Sequence, residues 1–281
     1  MEATRSLGGY LELARVGNAV AAGLLTVVGS FVAGGLDSPT AVALAVTATA
    51  AATAAGNAIN DYFDREIDTV NRPDRPIPSG RVPARSAAAY AAALFAVATA
   101  AAASLPPLAL GIAVVNLLAL LAYTQLFKGL PAVGNVVVAS LTGSTFLFGA
   151  AAVGRIAPPT WTLFGLAATA TFAREVVKDV EDVAGDRDEG LRTLPIVVGE
   201  RPALAAATVA MAAATAASAM PYLAGTFGLA YLAVVVPADA TMLGATVWGF
   251  RNPARAQRWI KRGTFLAALA FVAGRAAIVL G

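Results

Sequence analysis

NAINDYFDREID, residues 57–68, and REVVKDVEDVAGD, residues 174–186, carry one pattern twice in a chain of 281 residues. Asn57, Asp61, Asp64 and Asp68 follow the spacing i, i+4, i+7, i+11, and Glu175, Asp179, Asp182 and Asp186 repeat it 118 residues later. At roughly 100° per residue, each set falls within an arc of about 60° on a helix, so its polar groups form a stripe facing one way. Twelve of the 17 acidic residues lie between Asp61 and Asp74 or between Glu175 and Glu189. Carboxylates spaced four apart repel, so such stripes need a cation.

The surrounding residues place these stripes at a membrane. The hydrophobic fraction is 58%, charged residues make up 13%, and mean hydropathy is +0.71, which excludes an ordinary soluble domain. A span needs about 20 apolar residues. Nine segments qualify, near 13–34, 40–62, 87–105, 107–127, 133–153, 160–180, 202–220, 222–248 and 260–280. With the amino terminus inside, 18 of the 20 basic residues collect on one side, leaving only Arg155 and Arg275 on the other. The positive-inside rule therefore predicts an all-α membrane protein of nine transmembrane helices, amino terminus cytoplasmic and carboxyl terminus external. The first span lacks a cleavage site and is expected to be retained.

The whole chain, 1–281, is expected to form one membrane domain, because no linker or soluble module interrupts it. Two longer connections, about 63–86 and 181–201, follow the acidic stripes and are expected to cap them on the cytoplasmic side. The net charge of +3 calls for no nucleic-acid partner, since the basic residues lie in membrane-flanking loops. No feature requires a protein partner.

The chain contains neither cysteine nor histidine, so thiolate and imidazole chemistry is excluded. Oxygen donors from Asp and Asn select hard cations, and Mg²⁺ shared with a pyrophosphate is the natural occupant. Two other readings stand beside it. The acids could pair with neighbouring Arg and Lys as structural salt bridges, or line an ion pathway. Against a pathway, both stripes lie at the same end of their spans, and Asp239 is the only other acid inside one, a polar partner in the bundle or part of a cavity wall.

Residues 60–68, NDYFDREID, resemble the NDxxDxxxD signature of the UbiA superfamily of intramembrane prenyltransferases, and 179–186, DVEDVAGD, resemble its second aspartate motif. NRPDRPIPSGRV, 71–82, is similar to the connection after the first motif, and YTQLFK, 123–128, to a tyrosine–lysine element, here with four residues between the pair. The resemblance covers nearly the whole chain. It implies a central cavity between the two motifs, with Mg²⁺ holding the diphosphate of a polyprenyl donor. It implies metal ligation by Asn60, Asp64 and Asp68, with Asp61 alongside, and by Asp179, Asp182 and Asp186. Asp64, Asp68, Asp182, Asp186 and Lys178 are the expected catalytic groups. Arg72, Arg75, Lys128 and Lys178 are expected to contact phosphate, while Tyr123 donates a hydrogen bond.

Segments 15–35, 134–152 and 174–196 are most similar to the archaeal ether-lipid branch of that superfamily. That likeness implies transfer of a geranylgeranyl group from its diphosphate to the free hydroxyl of geranylgeranylglyceryl phosphate. The acceptor carries its own phosphate, for which Arg15, Arg174 and Lys178 are candidates, with Asn18 and Asn57 also expected at the substrate site. An aromatic acceptor is the alternative within the superfamily, and an ion or metabolite transporter the alternative outside it.

Overall fold

The structure, a computed structural model, describes residues 2–127 and 129–280, with side chains described except at 2–6, 36, 124 and 125. Every regular element among these residues is helical. α1 (Glu2–Ala14) meets α2 (Val16–Val32) at a 45° bend. α3 (Pro39–Phe63) and the short α4 (Arg65–Asn71) carry the first acidic segment, followed by α5 (Ala84–Ala103), α6 (Pro107–Ala122) and α7 (Val133–Ala152). α8 (Pro158–Asp188) carries the second. The chain continues through α9 (Leu194–Val198), α10 (Glu200–Ala217), α11 (Met220–Leu223), α12 (Leu229–Trp248) and α13 (Pro253–Leu280).

A helix occupies each segment expected to span, with shifted ends. The segment expected from 222 begins at Leu229, and that expected from 260 begins at Pro253. Six described helices are long and apolar enough to cross a membrane, and the bent α1–α2 pair makes a seventh. α6 is apolar but has only 16 residues, because the chain changes to a π-helical turn at Tyr123–Phe127. α8 is diluted by prolines, threonines and the charges that begin at Arg174.

Small residues let these helices approach closely, which matters where lipid offers no hydrophobic drive for helix association. A Cβ on Gly29 of α2 would lie 2.2 Å from the Phe146 carbonyl oxygen of α7, and one on Gly149 of α7 would lie 2.2 Å from the Thr26 carbonyl oxygen. The Ser30 hydroxyl donates to the Gly149 carbonyl at 2.9 Å, tying the two backbones together. α3 presents Ala45 and Ala48 to Ala101, Ala102 and Ala109 in the same way.

Packing also fixes which way the second acidic stripe points. Val176, Val177 and Val180 of α8 are buried against Ala203, Leu204 and Met211 of α10 and against Ile260 of α13. Glu175, Asp179, Asp182 and Asp186 therefore occupy another side of α8, away from that apolar cluster. Both long connections contain helix: α4 lies in the first, while the end of α8 and all of α9 lie in the second.

Candidate active site

The two acidic segments end at the same pole of the bundle. The Asn71 side-chain amide at the end of α4 donates to the Glu189 carboxylate just beyond α8 at 3.3 Å. The Arg192 backbone N–H donates to the Gly129 carbonyl at 3.0 Å, holding the connection after α8 against that after α6. α1 closes the pole from another side. Leu13 packs with Ala58, Val82, Ala87 and Ala91, and the Arg81 guanidinium donates to Glu12 at 2.6 Å.

The first stripe does not lie on one continuous helix. Its axis breaks at Asp64, between α3 and α4. The Arg65 guanidinium folds back to donate to the Tyr62 carbonyl at 2.9 Å, a side-chain insertion that disturbs the helical ladder. The N–H groups of Asp64 and Asp68 still reach the carbonyls of Asn60 and Asp64 at 2.9 Å, so the break is local. α8, in contrast, runs unbroken through its whole stripe.

Arginine holds much of the first segment. Asp61 is buried and accepts from Arg15 at 2.7 Å and from Arg75 at 3.2 Å. Arg75 also pairs with the buried Asp68 at 2.5 Å, so one guanidinium bridges two carboxylates seven residues apart. Arg15 takes up the left-handed conformation, φ 44°, between α1 and α2, a strained backbone for a side-chain-bearing residue. Its ion pair with Asp61 and the Asn57 side-chain bond to the Ala14 carbonyl, 3.1 Å, hold the bend in place. Asn57 thus braces the α1–α2 bend through its amide. Asn60 differs: its Oδ1 is buried and accepts no hydrogen bond.

The second segment is held differently. Lys178 pairs with Asp182 at 2.7 Å, Arg174 pairs with Glu175, and Asp179 accepts from the Asn135 amide of α7 at 2.7 Å. Tyr123, in the π-helical turn, lies within electrostatic reach of Glu175, Lys178, Asp179 and Asp186. Asp186, beyond the apolar part of α8, has its carboxyl pushed above the ordinary range by burial. Arg72 is exposed at the end of α4, and Asn18 is exposed in the first turn of α2. Lys128 lies outside the described residues.

Sequence reasoning passed over Asn135. It is buried beside Gly134 near the start of α7, and the one amide in an uncharged helix was the available signal. Asp239 is both things it was weighed as: it accepts from the Ser218 hydroxyl and lines a small apolar cavity with Phe146, Leu163, Met242 and Phe271.

The donor set fits a hard divalent cation. It is all oxygen, and the orphaned Asn60 Oδ1 is an unused oxygen donor at the first segment. Among the described residues no three carboxylates converge as a preassembled ion site, and Asp61 and Asp68 are engaged by arginine.

Apolar helices that gather carboxylates and guanidinium groups at one pole define an integral membrane protein suited to a charged, phosphate-bearing substrate at the bilayer surface. The chain belongs to the UbiA prenyltransferase family, whose pattern it matches over residues 22–272. It is 59% identical to digeranylgeranylglyceryl phosphate synthase of Natronomonas pharaonis, over 96% of this chain and 98% of that protein. A solved structure concerned with digeranylgeranylglyceryl phosphate synthase in membranes superposes with a TM-score of 0.82 at 33% identity, covering 96% of this chain and 98% of that one. A UbiA homologue from Archaeoglobus fulgidus, bound to DMAPP and Mg²⁺, shares the fold at a TM-score of 0.74 and 20% identity, covering 97% of this chain and all of that one.

Proposed function

We propose that this chain transfers a geranylgeranyl group from geranylgeranyl diphosphate to the free hydroxyl of geranylgeranylglyceryl phosphate, with release of diphosphate. The observation that carries this reading is the 59% identity with the Natronomonas synthase over nearly the full length of both chains. Our reading has nine spans, a cytoplasmic amino terminus and an external carboxyl terminus, with the acidic pole at the cytoplasmic face of the cell membrane. The gathering of 18 of 20 basic residues at that end supports this orientation.

Asn60, Asp64 and Asp68 from the first segment, with Asp61 beside them, and Asp179, Asp182 and Asp186 from the second would hold Mg²⁺. When bound, the metal neutralises negative charge developing on the departing diphosphate. Arg75 and Arg15 now occupy Asp61 and Asp68, so binding of a phosphate-bearing substrate lets these guanidinium groups turn from carboxylate to phosphate. Lys178, Lys128 and Arg72 add donors, and Tyr123 adds a hydroxyl. Asn135 keeps the Asp179 carboxylate aimed. Arg174 and Asn18 supply polar contacts to the acceptor phosphate. Exclusion of water from the allylic carbon falls to the apolar helices that carry the two segments. The acceptor oxygen forms the ether bond, the allylic C–O bond breaks with its electrons kept by diphosphate, and the hydroxyl proton leaves to water at the polar pole.

The test is product identification with purified protein, Mg²⁺, geranylgeranyl diphosphate and either geranylgeranylglyceryl phosphate or an aromatic acid. The expected product is the diether, formed one for one with diphosphate and lost on chelation of the metal. Prenylation of the aromatic acid alone would replace the acceptor assignment, and no diphosphate release with either acceptor would remove the reaction.

A further inference from the structure

The pole opposite the acidic segments has an electrostatic problem of its own. Its two basic residues come from different parts of the sequence, yet they converge on one backbone position. An ideal Cβ built on Gly34, just past α2, would lie 2.9 Å from Arg275 Nη2 and 3.5 Å from Arg155 Nη1. Arg155 is satisfied there. It donates to the Gly34 carbonyl at 2.6 Å and pairs with Asp37 at 3.0 Å. That ion pair holds the Asp37 carboxyl below its usual range.

Arg275 has an orphaned nitrogen. Its Nε is buried without a hydrogen-bond partner, and the guanidinium forms no ion pair among the described residues. Asp37, the carboxylate at this turn among the described residues, is already committed to Arg155. Beyond Arg275, α13 continues through Ile278, Val279 and Leu280, all exposed and apolar, so the charge sits short of the end of a lipid-facing helix. Ionised side chains at such a depth are paired or hydrated from the interface, because hydrocarbon does not solvate them. Gly34, at φ +85°, leaves the space beside both guanidinium groups clear of a side chain. Asp37 also accepts from the Ser38 hydroxyl at 3.3 Å, and Ser38 lines an open groove of about 370 Å³ with Thr40, Leu44, Ser104 and Leu105. Val153 and Gly154, next in sequence to Arg155, line the same groove, so space for a lipid chain lies next to the Arg155–Asp37 pair.

We propose that Arg275, with Arg155, binds the phosphate of an anionic lipid headgroup in the leaflet opposite the acidic pole. Guanidinium supplies the paired donors that a phosphodiester accepts, and the flanking apolar helix supplies the surface along which the lipid chain lies. The site is separate from prenyl transfer, since neither arginine belongs to the acidic pole. It stabilises the bundle by pinning the end of α13 to the turn after α2.

The test measures thermal unfolding of the purified full chain in neutral detergent against added phosphatidylglycerol, phosphatidylcholine or inorganic phosphate, for the parent and for Arg275→Gln and Arg155→Gln. Phosphatidylglycerol is expected to raise the midpoint of the parent. In Arg275→Gln the lipid concentration needed for half the rise should increase about fivefold. Arg155→Gln reports the same loss should Arg275→Gln fail to fold, and diphosphate release by the folded variants in neutral detergent should match the parent. Equal protection by phosphatidylcholine would overturn charge recognition, and equal protection by inorganic phosphate would overturn the lipid assignment. Undiminished protection of both variants would remove the site.

Discussion

The two acidic segments share a spacing and differ in almost everything that surrounds it. In the first, the helix breaks at Asp64, and Arg15 and Arg75 close on Asp61 and Asp68. In the second, α8 runs unbroken, its countercharge is the local Lys178–Asp182 pair, and its tie to a neighbouring helix is the neutral Asn135 amide on Asp179. Identical spacing on a helix therefore specifies a face, while the elements packed against that face decide what each carboxylate does. The first segment is clamped by long-range ion pairs that a substrate phosphate can compete for. The second is preset by a rigid helix whose valine face is locked in the core.

The largest effect is expected where the segments do the same work. Asp64→Ala and Asp182→Ala should each lower turnover by about 10²–10³, the scale of removing one group that stabilises developing charge. The variants should keep the parent's helical circular dichroism. Retention of more than a tenth of parental activity by either would contradict its assignment.

Next in size is the clamp. Arg75→Gln leaves the buried Asp61 and Asp68 with one guanidinium between them, and breaking a buried pair of this kind costs about 3 kcal/mol. Denaturant or thermal unfolding in detergent should show that loss. The same measurement on Lys178→Gln should show a change within about 0.5 kcal/mol, because the Lys178–Asp182 pair is 45% and 40% exposed. Equal losses in the two variants would erase the contrast between a clamped and a preset segment.

Asn135→Ala sharpens the comparison from the other side. It removes the amide that aims Asp179, and loss of such a supporting bond lowers metal affinity or turnover by about tenfold. A titration of activity against Mg²⁺ should show the requirement moving to higher concentration. An unchanged metal requirement would mean that Asp179 needs no aiming.

Much of this was legible in the sequence because it depends on periodicity. The repeat of i, i+4, i+7, i+11 put four groups on one face of each helix, and the Arg distribution put both faces at one pole. What escaped depends on contacts between distant residues. Nothing local to Arg15 signals that it sits at a left-handed bend and reaches Asp61, 46 positions away. Asn57 matches the stripe by spacing yet serves the Ala14 carbonyl, because α1 folds back over the pole as a helix that no apolar run announced. Asn135 lies in a stretch read only for its likeness to the archaeal ether-lipid branch, and its partner is 44 positions on. The break at Asp64 goes with Arg65 turning back to the Tyr62 carbonyl, a choice among rotamers that helical spacing does not encode.

The central claim is that two segments 118 residues apart form one site. Its most direct measurement is diphosphate release in a single turnover by Asp64→Ala, Asp182→Ala and the double variant, under the same Mg²⁺ and substrate concentrations. One site predicts strong non-additivity, with the double variant no slower than the worse single variant within about threefold. Multiplied losses, each segment contributing independently of the other, would contradict it.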